Sequence, residues 1–368
     1  MFTVGLFDQN LRRRGRVMVP SGSVVIRRNG VGTFTLDMVG SPIMNRLAPG
    51  WHVAIFDPEG RQIMSGMPNQ HRTESKTGVV TRTVSGRSHL GWVADMITLP
   101  TPSSPADQQA DMAYWRDTGT ALDVAARLVE SHIGAKAHSR WRRPITMHPE
   151  TGGKKTKVET RFQPLLDEVR SILGDDHTIH AWLEDGAVHI GYSTPKDLRR
   201  RVRLSEASGG VTGWTLEQTA PTVTDVLVAG QGQGTARELK LMSGNPNEWG
   251  TTVLQFQDRR DTEDPDELVK AGQDTLKEGQ EQASVVLETT TGLHRRLFTD
   301  FQIGDTITVT LAPGVEVQDI VQSAQIDWGA DGVKTTLQVG PVQEELDAPG
   351  WVSRARNISR QLRRITAV

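Results

Sequence analysis

The sequence predicts a β-rich α+β protein built from two related β-barrel-like modules, the second split in sequence, with two inserted α+β domains. Three observations lead there. Residues 301–340 hold three strand-like segments in a row: Gly304 precedes the alternating Ile307, Val309 and Leu311, a Pro-Gly turn follows, and Asp319-Ile320-Val321 leads to a last segment between Gly332 and Gly340. Residues 47–86 repeat this order, with Gly50 before Trp51, Val53 and Ile55, the turn Asp57-Pro58-Glu59-Gly60, then Gln62-Ile63-Met64, and a third segment of equal length between Gly78 and Gly86. Stretches with helical periodicity lie between the two copies.

Residues 1–100 are the first module. Segments 2–6, 16–19, 23–28 and 32–37 alternate apolar and polar positions and are parted by Gly, Pro and Asn. Arg12, Arg13 and Arg14 fall between the first two and read as a solvated loop, with contact to an acidic partner or to phosphates as the functional alternative. Residues 100–111 lack periodicity, are rich in Pro, Ser and Asp, and mark the boundary of an inserted α+β domain spanning 101–205. In it, Thr120 and Asp123 have capping-box spacing, and Leu122, Ala125, Ala126, Val129 and Ile133 share one face of a helix over about 120–133 that Gly134 stops. Phe162, Leu165, Leu166, Val169, Ile172 and Leu173 predict a second helix over 162–173. Segments on either side of Glu184-Asp185-Gly186 predict a hairpin over 178–192.

The second module comprises 206–237 and 297–345, with strands expected over 211–218, 223–229 and 284–288. Strand character is also read at 201–204 and 235–242. The excursion that splits the module covers 238–296, where Asp264-Pro265-Asp266 opens a helix running to about residue 282. Residues 346–368 form a basic tail carrying Arg354, Arg356, Arg360, Arg363 and Arg364, with Ile358, Leu362 and Ile365 on one helical face. A frayed end and a segment docking on a partner or on DNA both fit it.

Composition removes several function classes. The 42 basic and 44 acidic residues nearly cancel, so no overall field selects nucleic acid or acidic membranes. Cysteine is absent, which excludes disulfides, thiol nucleophiles and thiolate metal sites. No apolar run reaches the ~20 residues that span a bilayer, and Asp8 interrupts the N-terminal apolar stretch, so a soluble chain with an unprocessed N-terminus and no stable membrane insertion is expected. Trp is the commonest aromatic residue at nine copies; Trp141, Trp182 and Trp249 are candidates for stacking on sugars, against the usual role of Trp in cores and interfaces.

The chemistry-bearing patterns are weak. Gly230, Gly232 and Gly234 follow a strand, but Thr235 replaces the third glycine of a dinucleotide fingerprint and a strand-like segment follows, which favours a glycine-rich hairpin. Gly153-Lys154 lacks the upstream glycine and the hydroxyl of a phosphate loop. Asp175, Asp176, His177, His180 and His189 are the most metal-like group, yet strand periodicity sets His177 and His180 on opposite faces. The acid pairs Glu344-Glu345 and Asp264-Asp266 serve a glycosidase only at a suitable separation in space, and no nucleophile-elbow motif is present. No catalytic, metal or cofactor residue is assigned, and the protein is expected not to be an enzyme.

The run from Val226 to Arg237 (VLVAGQGQGTAR), a variable excursion, and then Phe301-Gln-Ile-Gly-Asp-Thr-Ile-Thr-Val309 resembles minor tail proteins of siphophages that infect actinobacteria, themselves similar to the baseplate hub or tail-associated (Tal-like) proteins of long-tailed phages. The similarity in layout covers nearly the whole chain. The resemblance implies a homotrimeric, hub-like tail tip in the virion, made in the host cytoplasm, in which two modules per chain build a six-fold-like ring. It implies a distal tail protein ring above, a tape measure protein, receptor-binding or fibre proteins on the excursions, and transient passage of phage DNA. Larger relatives carry a C-terminal peptidase or lysin domain; none is expected here, so wall digestion would fall to another chain. A carbohydrate-active or carbohydrate-binding tail protein is the alternative.

Overall fold

The computed structural model describes residues 1–39, 47–76, 79–148, 152–232, 234–259, 265–290, 295–312 and 314–340. The chain folds as two compact units: Met1–Lys196 with Gln302–Gly304 and Ser323–Thr335, and Asp197–Phe301 with Asp305–Gln322 and the residues from Thr336 on.

The first unit opens with β1 (Thr3–Phe7), β2 (Arg13–Met18), β3 (Ser21–Arg27), β4 (Thr33–Val39), β5 (His52–Phe56), β6 (Gln62–Lys76) and β7 (Val79–Ser88). They pair antiparallel in the order β3-β4-β7-β6-β5-β1-β2. Alternation drives this: Val4 and Leu6, Phe34 and Leu36, Val53 and Ile55, and Val84 are all buried. The arginine run is not wholly a loop, because Arg13 and Arg14 begin β2. Asp8 explains the shift: its carboxylate accepts the backbone N–H groups of Asn10 and Arg12 and the Nε–H of Arg14 at 2.8 Å, closing a tight turn before the strand.

The inserted elements are α1 (Gly91–Ala94), β8 (Trp115–Thr120), α2 (Ala121–Ile133), β9 (Ile145–Met147), β10 (Lys155–Thr160), α3 (Leu165–Leu173), β11 (Thr178–Glu184) and β12 (Ala187–Ser193). Leu122, Val129, Ile133, Leu165, Val169 and Leu173 of the two longer helices bury against Ile179, Leu183, Val188 and Ile190 of the β11-β12-β9 sheet. Thr120 stands at the N-cap of α2, but its hydroxyl donates to the Asp123 carboxylate at 2.6 Å and its side chain caps no backbone N–H of the helix, so the capping box that the spacing suggests does not form. α3 begins at Leu165 and not at Phe162, since Phe162 holds a left-handed φ of 56° and Pro164 enters extended. Asp185 and Gly186 both take positive φ, 46° and 77°, as a two-residue hairpin turn requires. The 100–111 stretch is tied down by buried Gln109, whose amide bonds both the N–H and the carbonyl of Thr101 and the carbonyl of Pro105.

The second unit contains β13 (Arg203–Ser205), β14 (Val211–Thr219), β15 (Asp225–Ala229), β16 (Leu239–Ser243), β17 (Leu254–Asp258), α4 (Pro265–Glu278), β18 (Gln282–Thr290) and β19 (Thr306–Ala312). β20 (Val315–Gly329) and β21 (Gly332–Val339) complete the chain's strands. The main path is β14-β18-β21-β20, with β19 along the first half of β20 and β13 parallel to β19. A separate sheet, β16-β15-β17, packs Val226 and Val228 against Leu268 and Leu276 of α4.

The duplication read from sequence is present in three dimensions. β5, β6 and β7 repeat as β19, β20 and β21; β6 and β20 are each 15 residues long. One constant offset carries Gly50 onto Gly304 and Gly60 onto Gly314, all four with positive φ, and Gly78 and Gly86 onto Gly332 and Gly340. The next strands also correspond, β4 and β3 beyond β7, β18 and β14 beyond β21. Among the described residues neither sheet closes into a barrel, so the barrel-like modules are open sheets with free edges.

β20 continues past Gln322 into the first unit, where Ser323–Trp328 pairs antiparallel with β3. Trp328 fixes that register: its ring stacks on Phe2 at 4.3 Å and its Nε1–H donates to the Val19 carbonyl at 3.0 Å. The indole occupies the space above Gly22, where a Cβ would stand 2.5 Å from it. Three buried histidines in this unit are held neutral. The Leu99 N–H donates to His132 Nε2, so Nδ1 carries the proton and donates to the Leu128 carbonyl. His52 Nδ1 and His89 Nε2 share one hydrogen bond at 2.9 Å, and His89 Nδ1 meets the Ser65 hydroxyl at 2.8 Å.

Trp328→Ala should cost about 3–5 kcal/mol of unfolding free energy, measured by urea denaturation, whereas Trp328→Phe should lose mainly the hydrogen bond, about 1 kcal/mol. Burial depresses His52 from 6.5 to about 4, against an opposing pull from Asp8, and burial, then the neighbouring His52, hold His89 well below its ordinary value. The unfolded chain therefore takes up protons first, and stability should be full above pH 6.5 and fall steadily as pH drops towards 4. Urea midpoints across that window check the sign.

Candidate assembly surfaces

The two modules differ at one junction. On the side of β20 where β19 ends, β3 takes over the pairing along Ser323–Trp328. On the matching side of β6, β5 ends at its pairing of Val53 with Gly66, and among the described residues no strand continues along 69–75. β14 holds the position in the second module that β3 holds in the first, and among the described residues it pairs on one side alone, with β18. Each copy thus presents a complementary pair of unfilled edges.

The free segment of β6 is polar: Gln70, Arg72, Thr73 and Ser75 are exposed, and Arg72 pairs with Glu74 at 2.5 Å. His71 accepts an Arg82 N–H on Nδ1 at 2.7 Å, which puts its own proton on Nε2. That buried nitrogen has no partner among the described residues. Burial, then the adjacent Arg82 charge, lower the His71 pKa and keep the ring neutral.

A second surface is apolar. In β16-β15-β17, Leu227 lies between its cross-strand partners Leu241 and Phe256 on the face opposite α4. Leu239 and Leu254 extend that face, and Leu239, Leu241, Leu254 and Phe256 are each more than half exposed. An apolar patch of this kind on a small sheet marks an interaction surface. β16 alternates Leu239, Leu241 and Lys240, Met242, so both its faces carry apolar residues, the one sequence signal that the strand needs cover on two sides. β17 has no comparable signal and is not expected from sequence.

The sequence-level constellations disperse. Asp175 pairs with Arg28 at 3.0 Å and Asp176 with Lys154 at 2.8 Å, His177 is buried beside Thr194, and His180 and His189 flank Trp182. No group of three or more potential ligands gathers among the described residues. The loop at Gly230 is filled from within: the Arg237 guanidinium donates to the carbonyls of Ala229 and Gly230 and pairs with Asp258. Trp141 lies under Arg140, Trp249 is exposed, and Trp182 sits on β11. Asp264, Glu344, Glu345 and the basic tail fall outside the described residues. Among the described residues, no helix is long and apolar enough to cross a membrane.

A family model described as Siphovirus ReqiPepy6 Gp37-like protein matches residues 3–341. Three crystal structures share the fold. The 43 kDa tail protein of prophage MuSo2 from Shewanella oneidensis is 13% identical with a TM-score of 0.61, covering 94% of this chain and 99% of its own. The tail protein from Neisseria meningitidis MC58 is 15% identical with a TM-score of 0.58, covering 92% and 96%. Prophage tail protein gp18 from Listeria monocytogenes EGD-e is 9% identical with a TM-score of 0.51 over 100% of both chains. No curated protein matches.

The bare face can be checked directly. Leu241→Lys with Leu254→Lys should lower binding of an anilinonaphthalene dye while shifting unfolding free energy by no more than about 0.5 kcal/mol per site, because neither side chain is packed in the isolated chain.

Proposed function

We propose, from the premise that this chain belongs to the Siphovirus ReqiPepy6 Gp37-like protein family, that it is the baseplate hub of a long-tailed phage's tail tip, working as a homotrimeric ring. The observation that carries this is the junction made once and left open once. β3 on β20 is a strand pairing that the repeat demands a second time, as β14 on β6, and among the described residues both partners of that second pairing are left free within one chain. A neighbouring copy supplies them by strand addition. The unpartnered His71 nitrogen lies on the β6 segment that the incoming strand would cover.

Three copies give six equivalent modules, the number that fits a six-fold tube end; duplication inside the chain resolves the mismatch with a three-fold tip. In this role the ring stacks below a distal tail protein ring, meets the tape measure protein, and lets DNA pass during ejection. Its near-neutral net charge suits a lumen that does not hold DNA tightly. The apolar face of β16-β15-β17 would anchor a receptor-binding or fibre protein, since that face is uncovered and lies on the second excursion. The role is structural and assigns no catalytic residue.

The test uses the absence of native cysteine. Light scattering should give a mass three times that of the 40.5 kDa chain. With Thr73→Cys and Thr215→Cys combined, a short bismaleimide should link neighbours into covalent dimers and trimers on denaturing gels, and neither single variant should do so. A monomer at all concentrations, or linkage confined within one chain, would remove the ring.

A further inference from the structure

We propose that the loop over 135–144, between α2 and β9, is a binding site for a phosphodiester polymer without bases, of the poly(glycerol phosphate) kind. The site lies within the first unit and does not depend on ring assembly. The chain as a whole is almost neutral, with 42 basic and 44 acidic residues. From Ser131 to His148 it carries Lys136, Arg140, Arg142 and Arg143 and no acidic residue. All four cations are exposed.

The chain's other runs of arginine each contain an ion pair. Arg14 pairs with Asp8, Arg199 with Asp197, Arg203 with Glu316 and Arg295 with Asp300. In this loop none of the four cations pairs with a carboxylate among the described residues: Arg140 meets a ring, Arg142 a backbone carbonyl, and the side chains of Lys136 and Arg143 no protein group. Glu130, the last acid before them, accepts the Ala135 N–H at 3.0 Å. Four like charges held this close repel one another, and an anion laid along them relieves that repulsion.

The backbone beneath the charges is fixed. The N–H groups of Ala137, His138, Trp141, Arg142 and Arg143 donate to the carbonyls of Gly134, Pro102, His138, His138 and Ile133 over 2.7–3.1 Å, and Ala137 is buried. Two side chains are placed as well. The Arg140 guanidinium lies over the Trp141 ring, 5.1 Å from its centroid. Arg142 gives one N–H of its fork to the Ala137 carbonyl at 3.0 Å and keeps the others for a ligand. Guanidinium forks match the paired oxygens of a phosphodiester, and a site ordered in advance binds with less loss of entropy.

Two features select the polymer. Among the described residues no exposed large hydrophobic side chain falls within 135–148, so the loop lacks the apolar centre of a protein interface. Trp141 is half-buried and its ring carries Arg140, so it gives no platform on which a nucleic-acid base could stack. What the loop can recognise is phosphate charge repeated along a flexible chain.

Fluorescence anisotropy of labelled poly(glycerol phosphate) with the full chain tests the proposal. The dissociation constant should be on the order of 10–100 µM at about 50 mM salt and rise about 7-fold at about 100 mM, because each of four neutralised phosphates contributes about 0.7 to the salt slope. Arg140→Gln with Arg143→Gln should weaken binding at least about 10-fold and lower the slope by about 1.4; Lys136→Gln alone should lower it by about 0.7. Trp141→Ala should cost about 3-fold, and Trp141→Phe, which keeps a ring under Arg140, should restore most of it. Arg200→Gln with Arg201→Gln, a control on another exposed basic pair, should change binding by less than about 2-fold. Urea midpoints should stay unchanged in every arginine and lysine variant, since the replaced side chains are exposed. Four results would overturn the site: no binding at low salt; affinity and slope unchanged in the double loop variant, the anion then being held elsewhere, as by the arginines of 354–364; polyglutamate of equal charge binding as tightly; or oligothymidylate binding about 10-fold tighter.

Discussion

The pairing of β20 with β3 is the contact on which the rest of the first module leans. An open antiparallel sheet has two rows of unpaired backbone groups, and each must be solvated, covered or extended. At the β3 edge the solution is extension, and side chains decide its register. Trp328 can seat above Gly22 in one alignment alone, because a shift by one residue would send the indole to the other face and set a side chain where the glycine stands. The ring's stack on Phe2 and its bond to the Val19 carbonyl tie the same alignment to the first residues of the chain. Strand order, register and the N-terminus are therefore one linked constraint.

The unfilled counterpart of that junction bears the marks of an edge that must wait. β6 carries Pro68, which removes a backbone donor, and an irregularity between Pro68 and Gln70. Its free stretch is polar and charged, with Arg72 and Glu74 side by side. These features discourage pairing with arbitrary strands while leaving the backbone able to accept a partner of the right twist. β14 differs, with its own irregularity between Val211 and Gly213 and a half-buried Trp214. The filled junction relies on a tryptophan against a glycine; the open one has polar groups, consistent with a contact formed between chains already folded.

Much of this was legible in the sequence, and what was not has physical causes. Turn chemistry survived best: Gly50 and Gly60 with their counterparts Gly304 and Gly314, and Asp185-Gly186, sit where the backbone needs positive φ. The full length of β6 and β20 was hidden because residues beyond Met64 and Val321 lose clean alternation once both faces of the strand stop meeting the same environment. β8, β9, β10 and β17 are short or polar and owe their state to a cross-strand partner, which local pattern cannot supply. The start of α3 was misplaced by three residues because Phe162 has the right period but the wrong φ. Trp182 was visible as an aromatic residue of the hairpin; Gly191, which leaves room for its ring, becomes meaningful only after the hairpin register is known.

Duplication within one chain also bears on why an assembly of this protein would close instead of growing into a fibre. A head-to-tail contact repeats indefinitely unless its rotation returns to the start. In a chain with two modules, one of each pair of successive contacts is made covalently adjacent, as β3 on β20, and its geometry is set during folding by Trp328 and Gly22. The remaining contact of the proposed ring, β14 on β6, would inherit that geometry to the extent that the repeats are alike, and the constant offset between the glycines and the equal lengths of β6 and β20 are what keep them alike. An insertion in either copy of the three-strand unit would alter one rotation and not the other. Strain would then collect at the junction between chains, the weaker of the two because it alone bears the entropy of association.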